Sequence, residues 1–181
     1  MALFRRSNSR TGLAPAITAA LGLAKGERVL AFAVDDNTGG HVVATNYALA
    51  FVTSDLLTSG AQPTLRRRWL SVDAGSWEPE TATLTVTWAD GRRGCQWSFR
   101  DQRTQLPETL RERVQASVVL ATRLTLGDRR SGRVAIRQDF ATRELIAQTI
   151  LGRQASADDP EVQAHVQAAL AHLKDQVGLP V

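Results

Sequence analysis

The sequence predicts an α+β fold: a strongly bent antiparallel sheet whose open end is covered by a helix, followed by a C-terminal hairpin, a further strand and a last helix. Three observations predict it. Short apolar runs between Val29 and Val52 are separated by turn residues. Residues Thr81 to Arg100 alternate apolar and polar side chains over two stretches, the pattern of strands with one buried face. After Pro107, Leu110, Val114 and Val118 recur at helical spacing, with Glu108 and Glu112 among them, which marks a helix with a single apolar stripe. A sheet with one apolar face must be covered, and a one-striped helix next in sequence is suited to cover it.

Along the chain, Pro15 to Leu23 reads as a short helix, with Pro15 in its first turn and Gly22 near its end. Lys25-Gly26-Glu27 is a turn. Val29, Leu30, Phe32 and Val34 mark a first strand, closed by the polar loop Asp35 to Gly40. His41 to Thr45 and Tyr47 to Val52 are the second and third strands, with the bend at Thr45-Asn46. Thr53 to Thr64, which holds Ser, Thr, Gly and Pro63, is an exposed loop. Arg66 to Trp77 is one extended piece carrying Trp69, Val72, Ala74 and Trp77, with a bulge expected at Ala74-Gly75-Ser76. Glu78-Pro79-Glu80 turns the chain.

The hairpin that follows presents Ala82, Leu84, Val86 and Trp88, then Cys95, Trp97 and Phe99. A two-residue turn at Asp90-Gly91 pairs Val86 with Cys95 and Leu84 with Trp97. A four-residue turn from Asp90 to Arg93 pairs Trp88 with Cys95 and Val86 with Trp97. Both registers keep the same side chains on one face. Trp and Phe each bury about 150–250 Å², so that face lies against a core. Thr104 or Gln105 precedes the helix opened by Pro107, and the β-branched Val118-Val119-Leu120 favours a change to strand before Leu120. Leu124, Leu126, Val134 and Ile136 flank the turn Gly127 to Gly132 as a second hairpin, with Arg123, Arg133 and Arg137 on its opposite face. Leu145 to Leu151 is a strand, with a helical turn as the alternative. Asp158 or Asp159 before Pro160 starts the last helix. Its stripe is Val162, Val166, Ala169, Leu170, Leu173 and Val177, and Gly178 stops it.

Glu27-Arg28-Val29-Leu30, Val42 to Asn46 followed by Tyr47-Ala48-Leu49, Trp69 through Val72 to Trp77, and Leu84-Thr85-Val86 together resemble the bacterial pleckstrin-homology-like (PH-like) barrel. The likeness is greatest to small uncharacterised proteins of high-GC Gram-positive (actinobacterial) type, and it covers roughly residues 26–120. It implies a seven-stranded barrel capped by a helix and used as a scaffold for protein, peptide or sometimes lipid headgroup. The expected organisation is a tail and short helix over 1–25, the PH-like barrel with its capping helix over 26–121, and a β-rich extension with terminal helix over 122–181. The acidic loop at Asp35 and Asp36 departs from inositide-binding relatives, which place basic residues there.

Hydrophobic residues make up 43% and charged residues 22% of the 181, so the chain falls among globular proteins and outside the disordered class. It is long enough to bury roughly 70% of its unfolded surface without metal or disulfides. No apolar run reaches the roughly 20 residues of a membrane span. Arg5, Arg6 and Arg10 lead into Thr11-Gly12-Leu13-Ala14-Pro15 rather than an apolar stretch and cleavage site, and the expected location is the cytoplasm. Cys95 is alone, which excludes an intramolecular disulfide.

Chemistry-bearing patterns are sparse. His41, His165 and His172 are the only histidines. His165 and His172 sit seven apart on the final helix without a carboxylate or thiolate set to complete a metal site. Thr38-Gly39-Gly40 lacks the helix and lysine of a phosphate loop. Asp35-Asp36 and Asp158-Asp159 read as turn and cap residues. No enzyme, cofactor or metal is expected. Arginine is the distinctive polar residue: the net charge is +4, and Lys25 and Lys174 are the only lysines among 22 basic residues. Guanidinium grips phosphate and carboxylate, so Arg129, Arg130, Arg133 and Arg137 are the candidate anion-binding residues for nucleic acid or acidic lipid. The plainer expectation is a solvated arginine surface on a non-catalytic module that binds a protein or peptide partner.

Overall fold

Unbroken apolar runs set the place of the first sheet. The computed structural model describes residues 12–53, 63, 65–127 and 129–180, and the loop expected over 53–64 falls almost wholly outside them. Strands β1 (Val29–Val34), β2 (His41–Thr45), β3 (Ala48–Val52) and β4 (Leu65–Arg68) pair antiparallel in that order. On one face Ala31, Ala33, Val42, Ala44 and Leu49 enter the main core. On the other, Val43, Ala50 and Val52 pack against Ile17 and Leu21 of helix α1 (Pro15–Leu21). Strands buried on both faces read as continuous apolar runs, which explains Val42-Val43-Ala44 and Ala48-Leu49-Ala50. Helix α1 is thus a covering layer of the first sheet.

The expected single extended piece from Arg66 to Trp77 is divided. A 3-10 turn at Trp69–Ser71 separates β4 from β5 (Val72–Glu78). The irregularity falls between Val72 and Ala74, while Gly75 and Ser76 pair in step with Val86 and Thr85. The cause is Trp69, whose ring is buried and whose indole N–H donates to the Thr45 carbonyl at 2.9 Å. Drawing that ring inward bends the chain, so β4 ends in one sheet and β5 begins another. Gly75 has a packing role instead of marking a bulge: a Cβ there would collide with Leu110.

Strands β5, β6 (Thr83–Trp88) and β7 (Cys95–Ser98) form the second sheet. Leu84 faces Trp97 and Val86 faces Cys95, the pairing of the shorter-turn alternative, although the ladder stops there and leaves 89–94 as a loop. Trp69, Leu84, Val86, Trp88, Trp97 and Phe99 meet the side chains of the first sheet in one core. Leu106 and Leu110 of helix α2 (Leu106–Ser117) plug it. The ladder is not continuous between the two sheets. Where β1 approaches β7, the Asp36 N–H donates to the Ser98 carbonyl at 2.9 Å, and the Asp35 carboxylate accepts from the Ser98 N–H at 2.9 Å. The Gln102 amide then bonds both the N–H (2.8 Å) and the C=O (2.5 Å) of Val34, as a neighbouring strand would.

Helix α2 passes directly into β8 (Val118–Thr125), so a boundary at 121/122 would cut a strand. β8, β9 (Ser131–Gln138) and β10 (Leu145–Leu151) make the third sheet, with β9 central. Helix α3 (Pro160–Gln176), capped by the Asp159 carboxylate accepting from the Glu161 N–H at 2.9 Å, covers one face. Val162 and Leu173 pack there on Leu124, Leu126, Val134 and Ile136. The fold is α+β, with three antiparallel sheets and three helices among the described residues. None of those helices is long and apolar enough to cross a membrane.

Candidate functional site

The face of the third sheet opposite α3 is turned to the corner where β4 gives way to β5, and arginine fastens it there. Arg137 is 2% exposed. Its guanidinium donates to the carbonyls of Val72 (2.7 Å) and Trp69 (2.9 Å), and its Nε–H donates to Ser117 Oγ at 3.0 Å. Burial pushes it down to about 10, with the Asp73 carboxylate working upward and Arg133 adding to the fall. It remains a cation at neutral pH, and the carbonyl oxygens supply the partners a buried charge requires. On either side, Arg133 pairs with Asp73 of β5, Arg68 pairs with the buried Asp139, and Gln148 Nε2 donates to the Leu70 carbonyl at 2.9 Å.

The run Arg66-Arg67-Arg68 is used one residue at a time. Arg66 meets Glu27 at 2.5 Å, Arg67 meets Asp90 at 2.8 Å, and Arg68 meets Asp139. Arg67 also lies 4.7 Å from the centre of the Trp88 ring. Its hydrogen bond is the largest influence holding the Asp90 carboxyl below the usual range, against a smaller opposing effect of burial. Burial pushes the Cys95 thiol up, which disfavours the nucleophilic thiolate.

The four anion-site candidates are not brought together on one face. Arg129 is exposed at the β8–β9 turn. Arg130 bonds Asp159 (3.1 Å) and Glu161 (2.8 Å), Arg133 bonds Asp73, and Arg137 is interior. Carboxylates at Asp73 of β5 and at Asp159 and Glu161 at the start of α3 take up Arg133 and Arg130, while Arg129 stays in solvent. His165 Nδ1 contacts the Glu161 carbonyl at 2.8 Å, and His172 Nε2 accepts from Gln176 Nε2 at 3.0 Å, both on exposed turns of α3. Among the described residues no three His, Cys, Asp or Glu side chains stand where they could hold a metal.

The arrangement leaves the edge of β10 in a different condition from those of β1, β4, β5 and β8. β1 is bulged and capped by Gln102, with Thr104 Oγ1 donating to the Phe32 carbonyl at 3.1 Å. β4 is four residues long and carries three arginines, and β5 and β8 have register shifts and charged residues. β10 pairs with β9 over all seven residues in unbroken register and has neither a charge nor a proline. Its outer edge has no strand partner among the described residues. Hydrogen bonds from the Gly152 N–H to Ser131 and from the Asp139 N–H to the Glu144 carbonyl show that even-numbered residues face β9. The N–H and C=O groups of Leu145, Ala147, Thr149 and Leu151 therefore point outward. Beside the strand's centre lies a cleft of about 190 Å³ lined by Ser71, Ala89, Asp90, Gln148 and Thr149. Gln148 Oε1 is buried without a hydrogen-bond donor. Sequence reading placed the strand but missed this edge; the signal available was the run of eight uncharged residues between Glu144 and Arg153.

No family model, curated protein or solved structure matches this chain.

Proposed function

We propose that the chain is a cytoplasmic, non-catalytic interaction module built on a PH-like scaffold, and that it takes an extended segment of a partner protein by strand addition at the outer edge of β10. Four strands, three strands and a plugging helix follow one another in the order the PH-like resemblance implies, which supports the scaffold. The observation that carries the function is the β10 edge. Backbone donors and acceptors that have no strand partner among the described residues, on an uncharged strand in unbroken register, are a template for another strand. The cleft at Ser71 and Asp90 gives an incoming side chain a place beside the ladder.

Residue-resolved hydrogen exchange tests this in dilute protein. The Ala147 and Thr149 N–H groups should exchange at least about tenfold faster than those of Ile146, Gln148 and Ile150. Equal protection of both sets in a sample that sediments as a monomer would mean that the edge is covered from within the chain and would refute strand addition there.

A further inference from the structure

We infer that the occupant of the β10 edge is a second copy of this chain, paired antiparallel about a two-fold axis through Gln148. The inference rests on the strand-addition function proposed above and names its partner. Three observations converge on it. The strand reads Leu145-Ile146-Ala147-Gln148-Thr149-Ile150-Leu151, nearly the same in both directions. Antiparallel pairing centred on Gln148 sets Leu145 against Leu151 of the other copy, Ile146 against Ile150, and Ala147 against Thr149. Like side chains meet like at every step but one, where two small residues meet.

The hydrogen-bonding parity agrees. The outward groups belong to residues 145, 147, 149 and 151, and this register pairs those residues only with one another. It forms about eight backbone hydrogen bonds and leaves Gln148 opposite Gln148 as a non-hydrogen-bonded pair, the kind whose side chains stand closest. That position is where the buried acceptor lacks a donor. Gln148 Nε2 uses one hydrogen on the Leu70 carbonyl at 2.9 Å. Oε1 is closed off within the single copy, so pairing requires the two Gln148 amides to turn toward the dyad, where the second hydrogen of each meets Oε1 of the other and supplies the donor it lacks. Each end of the pair gathers Glu144 of one copy with Gly152 and Arg153 of the other, one carboxylate near the guanidiniums of Arg143 and Arg153.

The contact is of a workable size. Seven residues span about 24 Å, and with layers about 10 Å apart the strand, α3 and the facing corner present on the order of 500 Å² per copy. The total of about 1,000 Å² sits at the lower bound for a specific interface, which implies a concentration-dependent dimer rather than an obligate one.

Sedimentation equilibrium of the full chain from low to high micromolar concentration should show the weight-average mass rising from that of the monomer toward twice that value. Thr149→Pro deletes an outward N–H while leaving the β9 side of the ladder intact, and it should remain monomeric throughout. Should that variant fail to fold, Gln148→Cys in a Cys95→Ser background gives a second readout: oxidation should join two copies at the dyad. Ile146→Cys and Ile150→Cys should cross-link when mixed and not when alone. A monomer at every concentration, or cross-linking indifferent to position, overturns the dimer. A synthetic peptide spanning Glu144–Arg153 then separates the two failures. If the chain is monomeric yet the peptide protects the Ala147 and Thr149 amides, strand addition stands and the second copy does not. If the peptide protects neither, both are refuted.

Discussion

The Arg137 guanidinium donates to the carbonyl oxygen of Trp69 across 2.9 Å, joining the middle of the third sheet to the turn at which the first sheet yields to the second. Trp69 itself is anchored to Thr45 through its indole N–H. A single chain of contacts therefore runs from β2 through the core to β9. It holds the third sheet by its inner face and leaves β10 as an edge.

Arg137→Met should remove that fastening. The substitution keeps much of the volume but leaves the Trp69 and Val72 carbonyls and Ser117 Oγ without their donor, at a cost of about 2–4 kcal/mol. Arg137→Lys should recover part of the loss, since an ammonium cannot reach all three acceptors at once. Urea unfolding at neutral pH measures both. A change below about 0.5 kcal/mol for the methionine variant, typical of surface sites, would contradict the role.

Gly75→Ala should destabilise even though alanine is ordinarily the better strand residue. The added Cβ meets Leu110, which is 1% exposed, and overpacking of this kind costs about 1–3 kcal/mol. In a Leu110→Ala background the same substitution should cost close to nothing. Additive losses in that double-mutant cycle would mean that the two residues do not touch.

Gln102→Ala should open the β1 edge. Val34 would lose both amide partners, its N–H would exchange faster, and a tendency to associate through β1 would follow. Unchanged exchange at Val34 would show that another group does the capping.

How far these features could be foreseen depends on what sets them. Strand and helix positions follow from local pattern: the alternation at Leu84, Val86 and Trp88 and the stripe at Val162, Val166 and Leu173 are visible in the letters and lie where the structure has them. The break at Trp69 is not local, because it depends on an indole finding the carbonyl of Thr45 24 residues away. The use of Arg66, Arg67, Arg68, Arg133 and Arg137 was hidden for the same reason. A guanidinium looks alike in sequence whether water or a distant Asp73 or Asp139 receives it. The β10 edge could be seen only after the neighbours of every strand were known.

Acid should weaken the fold through Glu27 and His41. Burial alone would raise the Glu27 carboxyl, but hydrogen bonds from Thr45, the Ala24 N–H and Arg66, with the Arg66 charge, outweigh it and hold the group below its usual range. The unfolded chain, with a glutamate near about 4.3, takes up the proton first. The stabilisation is complete above that value and disappears as the pH falls through the lower folded one. Burial likewise lowers His41, whose Nδ1 is buried without a partner. Its contribution is complete above about 6.5 and fades as the pH drops toward the folded value. Stability measured against pH should thus decline in two steps, with His41→Gln removing the upper and Glu27→Gln the lower. Profiles that match the parent in both variants would contradict this.

The most direct test of the central claim, that Arg137 is the interior fastening of the third sheet, is solvent exchange of its Nε–H followed by NMR at neutral pH. Held by Ser117 and closed off from water, that hydrogen should exchange at least about tenfold more slowly than the Nε–H of the exposed Arg100 or Arg153. Exchange as fast as theirs would place the guanidinium in water and contradict the docking of the sheet on which the free β10 edge depends.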